Sequence, residues 1–475
     1  MNAMRRLASH GLVYGLAGMA ASLASFVLTP LYARYLGPAD YGQLETLLAL
    51  VQITTITSAL GAGSASLALI IQPAGEPPAV AGSALAVVAG ASLFCLIGGC
   101  LVAPWLAPSL HVPVAWVRLV ALAGCLTALG QIPPAIWRAR GQAWLLAGYS
   151  LVQVLFVLAA NVYLVAVLGY GAIGVLIGQI GAQALAVIAG YWAIRSALRE
   201  GVHGQTVRTI ASIGITHVAN SLATWTVLLS DRFFLVWLAA GPALGCYTLG
   251  NKIGAVAQLA LASPLALAWP SFLQQVGRDT TFSNQYGALV EALAAYAGGL
   301  FLFLALPAAL WVHLLGGAAY AGTAPLVPML AAASLIAAFQ PVLMSGFALS
   351  MRFRVIPLIA FGSALLNVSL NLWWIPLYGA TGAAWTTLAA YAVAAVAGRL
   401  VSQRLWPLTI AWPRITAIGA WCGIVAVCGW QIPSDLGRLA WLLIYPLGIL
   451  TLFRHWHQVA VGEGAMAAVF GAEPD

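Results

Sequence analysis

Apolar stretches of roughly 20 residues recur along this chain almost from end to end, each long enough to cross a bilayer as a helix. Of 475 residues, 62% are hydrophobic and only 6% are charged, whereas a soluble domain carries about a quarter charged residues. Such a surface cannot face water. Lipid offers no partner to a backbone N–H or C=O, so a spanning chain must form helices or a closed barrel, and the run length selects helices. The chain reads as an all-α, polytopic membrane protein. About fourteen spans are expected, at roughly 11–33, 43–69, 79–105, 115–136, 143–168, 171–194, 209–238, 244–272, 286–313, 323–349, 353–377, 380–400, 413–430 and 437–453.

The net charge of +8 would suit a phosphate-rich partner. Here, however, the basic residues stand singly between apolar runs, as orientation signals do, and nucleic acid is rejected as a partner. The first run follows Arg5 and Arg6 but continues to Tyr32, which reads as an uncleaved span rather than a signal peptide. With the N-terminus inside, cytoplasmic segments hold fourteen of the nineteen Lys and Arg residues, among them Arg138, Arg140, Arg195, Arg199, Arg208, Arg278, Arg352, Arg354, Arg399, Arg404, Arg414 and Arg454. Arg34, Arg118, Arg232, Lys252 and Arg438 fall near the outer side. Both termini are therefore expected in the cytoplasm. The six cysteines lie in or beside apolar runs without Cys-x-x-Cys spacing and read as inert thiols.

Gly37-Pro38-Ala39, between the first two spans, returns as Gly241-Pro242-Ala243 between the seventh and eighth. Tyr170-Gly171-Ala172-Ile173-Gly174 returns as Tyr378-Gly379-Ala380-Thr381-Gly382, 208 positions on, and Pro133 matches Pro341 at the same offset. These matches predict two parallel six-helix repeats, 1–203 and 204–405, followed by an appended two-helix hairpin and cytoplasmic tail, 406–475. An even number of spans gives both lobes the same orientation, as in parallel transporter repeats.

Gly169 to Gly174 literally spells G-x-G-x-x-G, but a dinucleotide site needs a strand before it and a suitably placed acid after it. The preceding run is too long for a strand, and no acid occurs before Glu200. No Ser/His/Asp set, His-rich metal spacing or phosphate loop is present, so an enzyme is disfavoured and neither cofactor nor metal is expected. The informative residues are polar ones inside spans, which usually face a bundle interior or a watery cavity. His217, Asn220, Ser221, Thr224, Asp231 and Arg232 share an arc of about 120° on the seventh span. Glu45, Gln52, Thr55 and Ser66 form a similar stripe on the second, and Ser22, Ser25, Thr29 and Tyr32 one on the first. Asn251 and Gln258 share a face of the eighth span near Lys252. Asn367 and Asn371, one turn apart, suit packing as well as substrate contact. Glu291 reads as a solvated residue near the end of the ninth span, and Trp225 and Trp269 as belt or packing residues.

The stretch Pro30-Leu31-Tyr32-Ala33-Arg34-Tyr35-Leu36-Gly37-Pro38-Ala39-Asp40-Tyr41-Gly42 resembles the first outer turn of the bacterial polysaccharide-transport family. Asp231-Arg232 with Gly245-Cys246-Tyr247 resembles its seventh and eighth spans, and Asn367 to Thr387 its eleventh and twelfth. That family lies in the multidrug/oligosaccharidyl-lipid/polysaccharide exporter superfamily, with the multidrug and toxin extrusion (MATE) exporters and the lipid II flippases. The resemblance implies a MATE-like fold and a flippase in the bacterial inner membrane. It would move an undecaprenyl-pyrophosphate-linked oligosaccharide, a repeat unit of O-antigen, capsule or exopolysaccharide, by alternating access. A cation-coupled multidrug exporter of the same fold, or a lipid II flippase, is the alternative. Partners implied are the lipid-linked oligosaccharide, the bilayer, and the glycan polymerase and glycosyltransferases of the pathway. The residues that could supply a cationic pyrophosphate site are Arg34, Arg232 and Lys252. Gln52, His217, Asn220, Thr224, Asn251 and Gln258 would line the cavity. Glu45 and Asp231 are candidates for the gate or for coupling to H+ or Na+, and a Glu45–Arg232 or Glu45–Lys252 pair is expected across the axis.

Overall fold

The computed structural model describes residues 2–71, 79–239, 241–276, 280–352 and 355–452, with side chains from Ser25 onward except those of 267, 271, 274–284 and 452. The orientation residues Arg278, Arg354 and Arg454 and the tail from 453 lie outside the described residues. No strand occurs among the described residues. The first helices are α1 (Asn2–Ala59), α2 (Ala62–Ile70), α3 (Val80–Ser109), α4 (Val114–Leu129), α5 (Ile132–Ala139), α6 (Ala143–Asn161) and α7 (Gly171–Ala193). They continue with α8 (Arg195–Leu198), α9 (Gly204–Leu238), α10 (Gly241–Val276), α11 (Thr280–Ala305), α12 (Ala308–Gly316) and α13 (Val327–Leu343). The last are α14 (Ser345–Leu349), α15 (Ile356–Leu405), α16 (Trp412–Trp430), α17 (Asp435–Trp441) and α18 (Ile444–Leu452).

Among the described residues helix occupies most of each expected span, but the count differs. Nine helices among the described residues are individually long and apolar enough to cross a membrane, or ten if the pair around residue 60, bent by 44°, is one span. Part of the reason is backbone continuity. At 1.5 Å per residue a straight 50-residue α15 would run about 75 Å, and Gly379 (φ 55, ψ −131) breaks its helical geometry between the two expected spans. Gly37 (φ 70, ψ 170) does the same inside α1. Other expected spans are interrupted: 286–313 breaks at Leu306-Pro307, and 437–453 divides into α17 and α18.

The repeated Tyr-Gly turn puts its glycine at positive φ in both places. Gly171 sits at φ 62 and Gly379 at φ 55, the left-handed region that glycine enters without a Cβ penalty. The G-x-G-x-x-G stretch is thus a turn between helices: a six-residue π segment, Val162–Val167, precedes it, and Tyr170 N–H closes it on Leu164 O at 3.0 Å.

Packing divides the chain into two compact units. The first comprises Met1–Thr248, Leu315–Ala319 and Ala364–Ala383, and the second Leu249–Leu314, Tyr320–Ser363 and Ala384–Asp475. Within the first, small residues let helices approach closely: Ala59, Ala62, Ala65, Ala81, Ala84, Ala128 and Ala197 share a core with Val80, Ile132, Ile136, Trp137 and Ile210. The start of α3 is stitched to the segment after α8. Glu200 accepts the Ala79 N–H at 3.2 Å, Ser83 Oγ accepts the His203 N–H at 3.0 Å, and a Cβ on Gly82 would strike the Gly201 carbonyl.

Within the second unit, α16 and α18 pack on α11 through Leu302, Leu306, Ile418, Cys422, Val425, Tyr445 and Ile449. Tyr445 donates to Ala295 O at 2.9 Å, and its phenol occupies the space a Cβ on Gly298 would need, whereas Gly299 makes only ordinary contact at 3.5 Å. Gly298→Ala should therefore destabilise the hairpin's seat by about 1–3 kcal/mol through overpacking, while Gly299→Ala should be close to neutral. Thermal unfolding of the two variants in one detergent checks the difference.

Candidate functional site

The buried charges of the first unit gather where the second half of α1 runs beside α9. The register of this antiparallel pair follows from three contacts. At one end a Cβ on Gly214 would strike the Leu60 carbonyl; midway, Trp225 Nε1 donates to Ala49 O at 3.1 Å; further on, Arg232 meets Glu45. Beyond that point the chain closes again, since Gly245 lies so near Pro38 that a Cβ would collide with its backbone, and one on Gly42 would lie 2.8 Å from Leu244 Cγ.

Arg232 Nη2 lies 3.6 Å from Glu45 Oε2, and the two side chains are 8% and 6% exposed. At that distance the contact is an ion pair rather than a well-made hydrogen bond. Either charge alone would be costly at bilayer depth, and removing one partner of a buried pair leaves the other uncompensated. Arg232 Nε is buried and has no acceptor among the described residues, so within them the guanidinium is incompletely satisfied.

Next to this pair, Asp231 is 1% exposed. Its Oδ1 accepts the Arg232 N–H at 2.8 Å, and its Oδ2 accepts the hydroxyl of the fully buried Tyr247. Ser230 Oγ donates to Asn367 Oδ1 at 3.3 Å, and Asn371 Nδ2 donates to the same oxygen at 2.9 Å. One helix end thus carries three consecutive buried polar residues, each engaged with a different neighbour. The Asn367–Asn371 pair bonds internally and to α9, a packing role. Tyr247 is the member that the polar stripes do not reveal, because its partner lies on another helix and periodicity reports only faces of one helix.

The other expected site residues fall in different settings. Gln52, His217, Asn220 and Thr224 are exposed, and Thr224 Oγ1 bonds back to Asn220 O at 3.0 Å. The register above sets Gln52 level with Asn220 and Thr224. Exposed amide and hydroxyl groups at spanning depth are far better placed against water than against lipid. Arg34 is exposed, on the opposite side of the Gly37 bend from Glu45 in sequence. Lys252, Asn251 and Gln258 are half-buried on the part of α10 that belongs to the second unit. Glu291 corrects its expectation: it is 4% exposed rather than solvated, and it pairs with Arg414 at 3.2 Å. Trp225 and Trp269 are packing residues, the latter donating to Ser345 Oγ at 3.1 Å. Among the described residues no group of three or more His, Cys, Asp or Glu side chains could hold a metal ion.

Long apolar helices, nine of them among the described residues long and apolar enough to cross a bilayer, define a multi-pass membrane protein. The chain belongs to the polysaccharide biosynthesis protein family, whose model matches residues 31–325. Among solved structures it is similar to the lipid II flippase MurJ in an inward closed conformation, with a TM-score of 0.74 at 12% identity over 94% of this chain and 99% of that one. It is also similar to an inward-facing multidrug resistance MATE family transporter, with a TM-score of 0.67 at 13% identity over 84% and 95%. An outward-facing MATE family transporter gives 0.56 at 12% identity over 87% and 96%. At such identities the likeness establishes a shared fold, that of lipid flippases and multidrug exporters. No curated protein matches the chain by sequence.

Glu45→Gln and Arg232→Gln should each destabilise the protein by about 3–5 kcal/mol, because each strands a buried charge. The double variant should cost less than the sum of the two. A double-mutant cycle by thermal unfolding in detergent measures that coupling.

Proposed function

We propose that this protein is a flippase for an undecaprenyl-pyrophosphate-linked oligosaccharide, a repeat unit of O-antigen, capsule or exopolysaccharide. It works in the bacterial inner membrane with both termini in the cytoplasm, as a carrier rather than an enzyme. The family match over residues 31–325 supports the glycan substrate class. The observation that carries the mechanism is the buried, loosely made Glu45–Arg232 pair, 3.6 Å apart.

In this reading the lobes 1–203 and 204–405 alternate access to the two leaflets. Arg232, with Arg34 and Lys252, receives the pyrophosphate. Glu45 neutralises Arg232 when no anion is present, so the substrate competes with a carboxylate for a guanidinium, and phosphate suits that fork well. Gln52, His217, Asn220, Thr224, Asn251 and Gln258 offer hydrogen bonds to the glycan, while the prenyl chain stays in lipid. Asp231 and Glu45 are the groups through which H+ or Na+ would couple to the cycle. The polymerase and glycosyltransferases of the same pathway are the expected protein partners.

Two further readings rest on the fold. Likeness to MATE family transporters at a TM-score of 0.67 supports a cation-coupled multidrug exporter, and likeness to MurJ at 0.74 supports a lipid II flippase. A deletion strain separates the three. Loss of surface glycan, with lipid-linked repeat units accumulating in the cytoplasmic leaflet, is the expected result. Altered drug resistance with normal glycan indicates the exporter, and arrested cell-wall synthesis the lipid II flippase. In the same assay Glu45→Arg and Arg232→Glu should each abolish glycan delivery, and the combined exchange should restore part of it. Failure of the combined exchange would remove the pair from the gate.

A further inference from the structure

Arg399 reads from sequence as one more orientation signal, yet it is 5% exposed. It lies about 9 Å before the end of α15 at the helical rise of 1.5 Å per residue, close to Arg404 in the last turn. Nη2 donates to Leu408 O at 2.6 Å. Nε and Nη1 are buried and have no acceptor, and among the described residues Arg399 forms no ion pair. The carboxylate of Glu291, on α11, is engaged with Arg414 at 3.2 Å. A guanidinium cannot shed its proton, so a full positive charge is enclosed with the Leu408 carbonyl and the neutral phenol of the buried Tyr286 as neighbours, neither of which carries a compensating negative charge. A water molecule would satisfy the donors but leave the charge unmatched.

The cover over this charge is a strap, residues 406–411, without regular secondary structure. Leu408 is buried beneath it while Pro407 and Thr409 are exposed, and the Thr409 carbonyl rests 3.1 Å from where a Cβ on Gly287 of α11 would sit. Trp406 and Trp412 bracket the strap, and tryptophan marks the headgroup level of a bilayer. Arg404 and Arg414 are exposed beside it, Arg414 with its side chain 52% accessible.

We propose that Arg399 is a phosphate-binding residue, and that its ligand is the anionic headgroup of a membrane phospholipid seated under the strap between α11 and α15. At this depth lipid phosphate is the abundant anion, and basic pockets between spanning helices are known to hold such headgroups. A phosphate gives the unused donors charge-assisted hydrogen bonds. By competing for Nη2 it also releases Leu408 O, which lets the strap lift. The site is separate from the Glu45–Arg232 pair and does not depend on what the protein transports.

The test uses the full chain in nanodiscs of phosphatidylcholine, with or without phosphatidylglycerol. Wild type should retain phosphatidylglycerol through delipidation, detected by native mass spectrometry, and should unfold at a higher temperature when it is present. Arg399→Gln should reduce retention at least about tenfold, the loss of one charge-assisted hydrogen bond. Arg399→Lys, which keeps charge without the planar fork, should retain an intermediate amount. Equal retention by wild type and Arg399→Gln overturns the proposal. Equal stabilisation by inorganic phosphate in phosphatidylcholine discs, with no phosphatidylglycerol retained, overturns the lipid assignment and leaves a soluble-anion site. A photoreactive phosphatidylglycerol on wild type needs no variant: labelling of the 399–414 segment is expected, and labelling only elsewhere overturns it.

Discussion

A bilayer offers no hydrogen-bond partner at depth, and the organisation of this protein follows from that constraint. Backbone groups must close on themselves, so the described chain is mostly helical, with short connections between helices. Changes of direction are then made with few broken backbone bonds, at glycines such as Gly37 and Gly379, whose left-handed conformation turns a helix without a long loop. The same constraint makes ionisable groups rare and forces the buried carboxylates into company. Glu45 has Arg232, Glu291 has Arg414, and Asp231 has a backbone N–H and a tyrosine hydroxyl.

Much of this was legible in the sequence, because hydropathy, glycine punctuation and helical periodicity are local quantities. The turns at Gly37, Gly171 and Gly379 fall where the residues place them. What was not legible depends on contacts between helices. Nothing in the stretch around Glu291 distinguishes a solvated carboxylate at a span end from a buried one; the difference is supplied by Arg414, more than a hundred residues later. Tyr247 was hidden for the same reason. Continuity was hidden too: a glycine that bends a helix and one that ends it look alike in sequence, so two spans within α15 read as separate elements.

Close packing in this molecule relies on absent side chains as much as on present ones. Gly214 against Leu60 and Gly245 against Pro38 bring backbones together without hydrophobic driving force, since lipid tails are as apolar as the residues they replace. Van der Waals contact and a few side-chain to backbone bonds, such as Trp225 to Ala49, hold the helices in register. In that register the ion pair lies between two tight backbone approaches, so its separation is set by helices that cannot slide freely.

The stitching of α3 to the segment at Glu200–His203 has a consequence for movement. Ser83, Gly82 and the carboxylate of Glu200 fix both sides of a corner that, by its exposure, resembles a slack tether. The first turn of α3 and the approach to α9 must therefore travel as one piece. That corner serves as a fiducial mark: distances measured from it would report displacement elsewhere, undiluted by play in the loop itself.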